Sequence, residues 1–165
     1  MPRGLDWAVP AAKGGGDKRR GSRMKLVQHL LDKKGSHIIS IAPDCTVLDA
    51  IKLMAQKGIG ALVVLDGDRL AGILSERDYA RKVILKGRAS NSTPVSDIMT
   101  AEVVTTTPTA TVDQCMQVMT ERKCRHLPVV VDGAVVGVVS IGDLVQAIIA
   151  DQKAEIEQLE QYISG

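Results

Sequence analysis

Apolar positions run through this chain in two alternating rhythms, and the same alternation occurs twice. After Thr46, apolar residues at Val47, Ala50, Ile51 and Met54 keep the spacing of one helix face, and Thr111 opens the same spacing at Val112, Cys115, Met116 and Met119. Each threonine is a good N-cap, because its hydroxyl can accept an orphan N–H of the first turn, and the two helices are predicted to end near Gly58 and Lys123. β-rich runs follow at Ala61 to Leu65 and Leu70 to Leu74, split by Asp66-Gly67-Asp68, and at Leu127 to Val131 and Val135 to Val139, split by Asp132-Gly133. Asp-Gly between two such runs predicts a hairpin. A short strand is expected ahead of each long helix, at Ile38 to Ile41 and Val103 to Thr106, and a last helix from Ser75 or Ser140. Each unit therefore reads β-α-β-β-α.

The two units are copies. Sliding Ile38–Ile84 forward by 65 positions lands it on Val103–Ile149 without a gap, pairing Pro43 with Pro108, Thr46 with Thr111, Met54 with Met119, Leu62 with Leu127 and Ile84 with Ile149. Matches spread over the whole window indicate duplicated structure. A copy of under about 50 residues is near the limit of what buries its own core, so the repeats are expected to pack on each other with internal pseudo-two-fold symmetry.

Leu26, Val27, Leu30 and Leu31 predict a short opening helix, and Val95-Ser96-Asp97-Ile98-Met99 repeats its pattern, with extra residues near Lys33 to His37 in the first copy. The final helix runs long, with Ile149, Gln152, Ile156, Leu159 and Ile163 at alternating spacings of three and four. Such a seam is usually buried by something, and self-association is the preferred reading over folding back on its own domain. The expected organisation is a basic arm at 1–24, a first repeat at 25–88, a second at 89–150 and a helical extension at 151–165, with Lys86 to Thr93 as the linker.

Composition narrows the function. The balance of 45% apolar and 24% charged residues is that of an ordinary globular domain. No run approaches the roughly 20 apolar residues of a membrane span and no signal-peptide pattern appears, so a soluble, cytoplasmic protein without a membrane partner is expected. Phe is absent and the one Trp, Trp7, lies in the arm, so any bound ring would sit between aliphatic side chains. The aromatic platforms on which single-stranded nucleic acid stacks are missing, which argues against nucleic acid as the main ligand.

The net charge of +2 divides unevenly. Residues 1 to 25 hold seven basic against two acidic side chains, a net of +5, and the remainder is mildly acidic at −3. Such an arm reads as a disordered tail or as a nucleic-acid or membrane tether, and Met24 offers a later start. Cys45, Cys115 and Cys124 form no C-x-x-C, and their odd number suits a reducing compartment. Small packing residues are the plain reading of the three, and a redox role the alternative.

The chemistry gathers at a motif present in both copies, G-h-h-S-x-x-D with h aliphatic: Gly72-Ile73-Leu74-Ser75-Glu76-Arg77-Asp78 and Gly137-Val138-Val139-Ser140-Ile141-Gly142-Asp143. Ser-x-x-Asp at a helix start is by itself a capping-box variant. The preceding glycine lets a ligand or another backbone come close. Free N–H groups at a helix start suit phosphate, whereas a carboxylate beside them suits sugar hydroxyls. Serine for phosphate, aspartate for ribose and aliphatics for base describe an adenine nucleotide.

At these residues the chain resembles the CBS (cystathionine-β-synthase) domain pair, or Bateman module. The resemblance covers about residues 26 to 150, through the repeat, both motifs, Val95-Ser96-Asp97-Ile98-Met99-Thr100 and Arg125-His126-Leu127-Pro128-Val129-Val130. It implies an α/β fold of tandem repeats, a cleft between repeats binding AMP, ADP, ATP, NAD or S-adenosylmethionine, a homodimer, and an unknown regulated protein as partner. One pocket would take Ile73, Ser75, Arg77 and Asp78 with Met99, Val104, Cys124 and Arg125; the other would take Val138, Ser140 and Asp143 with Ile39, Ile59, Gly60 and His126. Arg77 stands where the second motif has Gly142, so the first pocket is expected to prefer more phosphate charge. No nucleophile and base, paired carboxylates or metal-ligand cluster can be assembled, so a non-catalytic regulatory module without a catalytic cofactor or metal is expected, with a thiol-based redox interaction protein as the alternative.

Overall fold

The computed structural model describes residues 25–35 and 37–164. The basic arm, Trp7 and Met24 lie outside them. Helix α1 (Val27–Lys34) precedes β1 (Ser40–Ile41), α2 (Val47–Lys57), β2 (Ala61–Asp66), β3 (Arg69–Ser75) and α3 (Glu76–Tyr79), which continues as a π-helical turn over Ala80–Ile84. The second half runs α4 (Val95–Ile98), α5 (Val112–Arg122), β4 (His126–Val131), β5 (Ala134–Ser140) and α6 (Ile141–Ser164).

Local chemistry sets these boundaries. The Thr46 hydroxyl accepts the Asp49 N–H and the Thr111 hydroxyl accepts the Gln114 N–H, as N-caps at α2 and α5, where each such cap contributes about 1 kcal/mol. Both helices end in a left-handed residue, Gly58 at φ 65° and Lys123 at φ 53°. The glycine does this without steric cost; Lys123 carries a Cβ there. Between β4 and β5, Asp132 and Gly133 have φ of 49° and 80°, the two positive values of a tight hairpin turn whose twist matches its strands.

One expected strand is not formed. In the first repeat β1 pairs in parallel with β2, Ser40 opposite Val63 and Ile41 opposite Val64. In the second, the Val103 to Thr106 run shrinks to a single bridge between Thr106 and Val129. The position equivalent to Val63 is Pro128, which has no N–H to donate back, so the ladder stops after the bonds from Thr106 N–H to Pro128 C=O and from Val130 N–H to Thr106 C=O, both 2.9 Å. The first strand is also shorter than the Ile38 to Ile41 run.

The described residues divide into two compact units, one of residues 25–35, 104–130 and 137–164, the other of residues 37–103 and 131–136. This differs from the expected order of 25–88 and 89–150, because each short helix joins the repeat it does not precede in the repeating pattern. Helix α1 sits on the second repeat: Val27 N–H donates to Ala110 C=O at 2.9 Å, Gln28 N–H to Pro108 C=O at 3.0 Å, and Val112 N–H returns to Lys25 C=O at 3.0 Å. Helix α4 makes the same set with the first: Val95 N–H to Cys45 C=O at 2.8 Å, Ser96 N–H to Pro43 C=O at 2.9 Å, and Val47 N–H to Thr93 C=O at 2.8 Å.

The core of that first-repeat unit is Ile41, Val47, Ala50, Met54, Leu62, Val64, Leu74, Val83, Val95 and Ile98, with Ile39, Ile59, Tyr79 and Met99 packed against it. In the other unit Val27, Leu31, Val112, Cys115, Met119, Leu127, Val129, Val139 and Leu144 are buried. Both are aliphatic and sulfur-rich, as a chain without Phe requires.

Candidate functional site

Each motif is first a helix cap. The Ser75 hydroxyl accepts the Asp78 N–H at 3.2 Å, while Asp78 Oδ2 accepts from the Ser75 N–H at 3.0 Å and hydroxyl at 3.1 Å. In the second motif the Ser140 hydroxyl accepts the Asp143 N–H at 3.2 Å, and Asp143 Oδ2 accepts the Ser140 N–H at 2.9 Å. The cap does not use up a carboxylate, which offers about four lone-pair positions.

The glycines admit protein. A Cβ on Gly72 would lie 2.7 Å from Met99 Sδ and 2.9 Å from Thr100 C=O; one on Gly137 would lie 2.5 Å from Leu31 Cδ2. Of the two occupants the sequence allows, a ligand or another segment of chain, the structure shows the second. Next to Gly72, Ile73 and Thr100 exchange both main-chain hydrogen bonds, at 3.0 and 2.9 Å.

Lysines that the sequence analysis did not single out complete both sites. Lys82 Nζ lies 3.1 Å from Asp78 Oδ1 and donates to Ile98 C=O at 2.9 Å, with Thr100 Oγ1 at 3.4 Å from the same carboxylate oxygen. Lys34 Nζ lies 2.7 Å from Asp143 Oδ2 and donates to Val138 C=O at 3.0 Å. Lys82 sits one turn beyond Asp78, an ordinary i,i+4 pairing that could have been read from the sequence. Lys34 is 109 residues from Asp143, and only the placement of α1 on the second repeat brings them together. With the lysines 44% and 46% exposed, each ion pair is worth about 0 to 1 kcal/mol. Burial raises the Asp143 carboxyl, but hydrogen bonds from Lys34 and Ser140 outweigh it and hold the group below the usual aspartate range.

Strand register decides which residues flank each cap. Because β2 and β3 are antiparallel with Ala61 opposite Ser75, the start of β2 lies beside the first motif, and Glu76 N–H donates to Gly60 C=O at 3.0 Å. The equivalent bond in the second repeat runs from Ile141 N–H to Arg125 C=O at 2.9 Å. Gly60 thus adjoins the motif of its own repeat, and Arg125 likewise adjoins its own. Ile39 and Ile59 are half-buried against the first-repeat core. Arg77 and Arg125 are exposed, whereas Val104, Cys124, His126 and Val138 are half-buried.

Other chemistry is thin. Among the described residues no group of three or more His, Cys, Asp or Glu could hold a metal ion, and no helix is long and apolar enough to cross a membrane. The three cysteines are unpaired. Burial pushes the Cys115 and Cys124 thiols above their ordinary range, and Cys115 Sγ lies 3.4 Å from the Thr106 hydroxyl.

The CBS domain family model matches residues 34–84 and 95–150. The chain is 48% identical over 127 residues to the CBS domain-containing protein CBSX3, mitochondrial, of Arabidopsis thaliana, a match covering 74% of this chain and 62% of that one, so it spans less than two thirds of that relative's length. Among solved structures, a protein with CBS domains from Burkholderia ambifaria is 51% identical with a TM-score of 0.75, over 78% of this chain and 96% of the other. The CBS domain pair of protein MJ0100, solved in complex with 5′-methylthioadenosine and S-adenosyl-L-methionine, is 25% identical with a TM-score of 0.69, over 77% of this chain and 98% of the other. With two matched repeats, a shared α/β fold and the duplicated serine–aspartate cap, the chain belongs to the CBS-domain family.

Proposed function

We propose that this chain is a non-catalytic regulatory module that binds adenosyl ligands at the Ser75–Asp78 and Ser140–Asp143 helix starts and passes their occupancy to a partner protein. The observation that carries the reading is the duplication: two helix starts, each with a serine and an aspartate in the same reciprocal cap. A cap alone needs no second copy in the same setting. The ligands of the MJ0100 pair share an adenosine and no phosphate, so base and ribose are the common element to recognise. AMP, ADP, ATP and NAD add phosphate, for which exposed Arg77 gives the first motif a cation that Gly142 cannot supply.

The chain works as a homodimer in this reading, because α6 carries Ile149, Ile156, Leu159 and Ile163 at 56–82% exposure along one seam. Its compartment is aqueous and reducing, which suits three unpaired thiols and fits both the cytoplasm and the mitochondrial setting in the Arabidopsis relative's name. The thiol-based alternative is weaker, because burial that raises a thiol's pKa leaves little thiolate to react. A thermal-shift panel of AMP, ADP, ATP, NAD, S-adenosylmethionine and 5′-methylthioadenosine tests the function. At about 1,000 times its dissociation constant a true ligand adds about 4 kcal/mol of stability, an unmistakable rise in Tm, and a flat response to all six would end the reading.

A further inference from the structure

The two lysines at the motif aspartates do the same thing from different places. Lys82 belongs to the π-helical turn that continues the first motif's own helix and reaches back to α4, through Ile98 C=O. Lys34 is the last residue of α1 and reaches forward to the second motif's strand, through Val138 C=O. The repeat does not relate them, since the position 65 residues after Lys82 is Ala147. In both units, nevertheless, one ammonium ties a short helix to the motif aspartate.

The tie occupies the groups that a ribose would need. Asp78 receives four donors: the Ser75 N–H and hydroxyl on Oδ2, and Lys82 Nζ with Thr100 Oγ1 on Oδ1. Four donors fill a carboxylate's lone-pair positions. The Ser75 N–H and hydroxyl are fixed by the cap, so an incoming diol must displace the Lys82 and Thr100 side, whose contacts are 3.1 and 3.4 Å. Both displaced contacts lead to the end of α4.

We propose that Lys82 is a clasp, which holds α4 to Asp78, and that a ribose diol taken up by Asp78 opens the clasp and loosens that helix. The proposal rests on the adenosyl reading and supplies its missing step, the route by which occupancy reaches the rest of the chain. A ligand without the diol would fill the base and phosphate positions and leave the clasp shut.

The test uses the full chain in the Asp143→Ala background, so that only the first motif reports, with AMP and 2′,3′-dideoxyadenosine monophosphate as probes. Amide exchange is followed at Met99, whose N–H donates to Val95 C=O, and at Thr100, whose N–H donates to Ile73 C=O, both at 2.9 Å. AMP should speed exchange at both amides while the dideoxy compound does not. Lys82→Met should exchange faster without ligand and bind AMP about two- to fivefold more tightly, the range set by a half-exposed ion pair, and Lys82→Arg should restore the parent values. AMP binding with exchange unchanged or slowed would overturn the clasp alone. Weaker binding by Lys82→Met would overturn it too, making Lys82 a phosphate ligand. No binding of either probe would overturn the clasp at this motif, and the adenosyl reading of Asp78 with it.

Discussion

Asp143 is a half-buried carboxylate kept ionised by its neighbours, and that has a measurable signature. Its folded pKa lies below the ordinary aspartate value, so the stability it contributes is fully present above the unfolded pKa, about 3.9, and is lost as pH falls from there through the lower folded value. An Asn side-chain oxygen can still accept the Ser140 N–H, so Asp143→Asn removes the charge and keeps that bond. Urea unfolding at a series of pH values should show a stability difference between the parent and Asp143→Asn that is constant above about pH 5 and shrinks below pH 4. A difference independent of pH down to pH 2 would mean that Lys34 does not favour the ionised form. At this scale the sequence was readable wherever the partner was three or four residues away. The caps at Thr46, Ser75, Thr111 and Ser140 are of that kind, and so was Lys82, although it went unread. The Lys34 contact was not readable, because nothing local tells which repeat α1 will cover.

Among the elements, helices and hairpins followed their apolar periodicity closely, and the exceptions have definite causes. Pro128 removes the donor that a strand over Val103 to Thr106 would need. The hairpin register, Ala61 opposite Ser75, puts Gly60 beside its own motif, a consequence of antiparallel pairing that motif spacing alone does not convey. The equivalence of α1 and α4 was readable despite the extra residues near Lys33 to His37, and Leu31 packs under Gly137 as Met99 does under Gly72. Helix α6 matched its predicted length, and its tail from Gln152 onward is exposed on every side. A helical tail of that length is marginal in water by itself, so burial against a second copy would stabilise it. Sedimentation velocity should therefore show a dimer that the double substitution Ile156→Asp with Leu159→Asp converts to monomer or shifts to at least tenfold weaker association, since each charge would sit in an apolar seam. A wild-type chain that sediments as a monomer at about 50 μM, a concentration at which even micromolar dimers persist, would exclude this role for α6.

For the whole molecule, duplication is the organising fact. A repeat copied once, with the short helices exchanged, yields two units with one aliphatic core each and one serine–aspartate helix start each. The sequence showed the repeat and the family resemblance because both rest on matching positions spread along the chain 65 residues apart. It did not show which segments make up each compact unit, because that depends on the exchange of α1 and α4 between repeats. Duplication also makes the functional claim quantitative: two equivalent helix starts should mean two ligands per chain. Isothermal titration calorimetry with the strongest stabiliser from the adenosyl panel measures that number directly. Two sites are expected in the parent chain, one in Asp78→Ala, one in Asp143→Ala and none in the double variant. Full binding retained by the double variant would contradict this, leaving both aspartates as helix caps and nothing more.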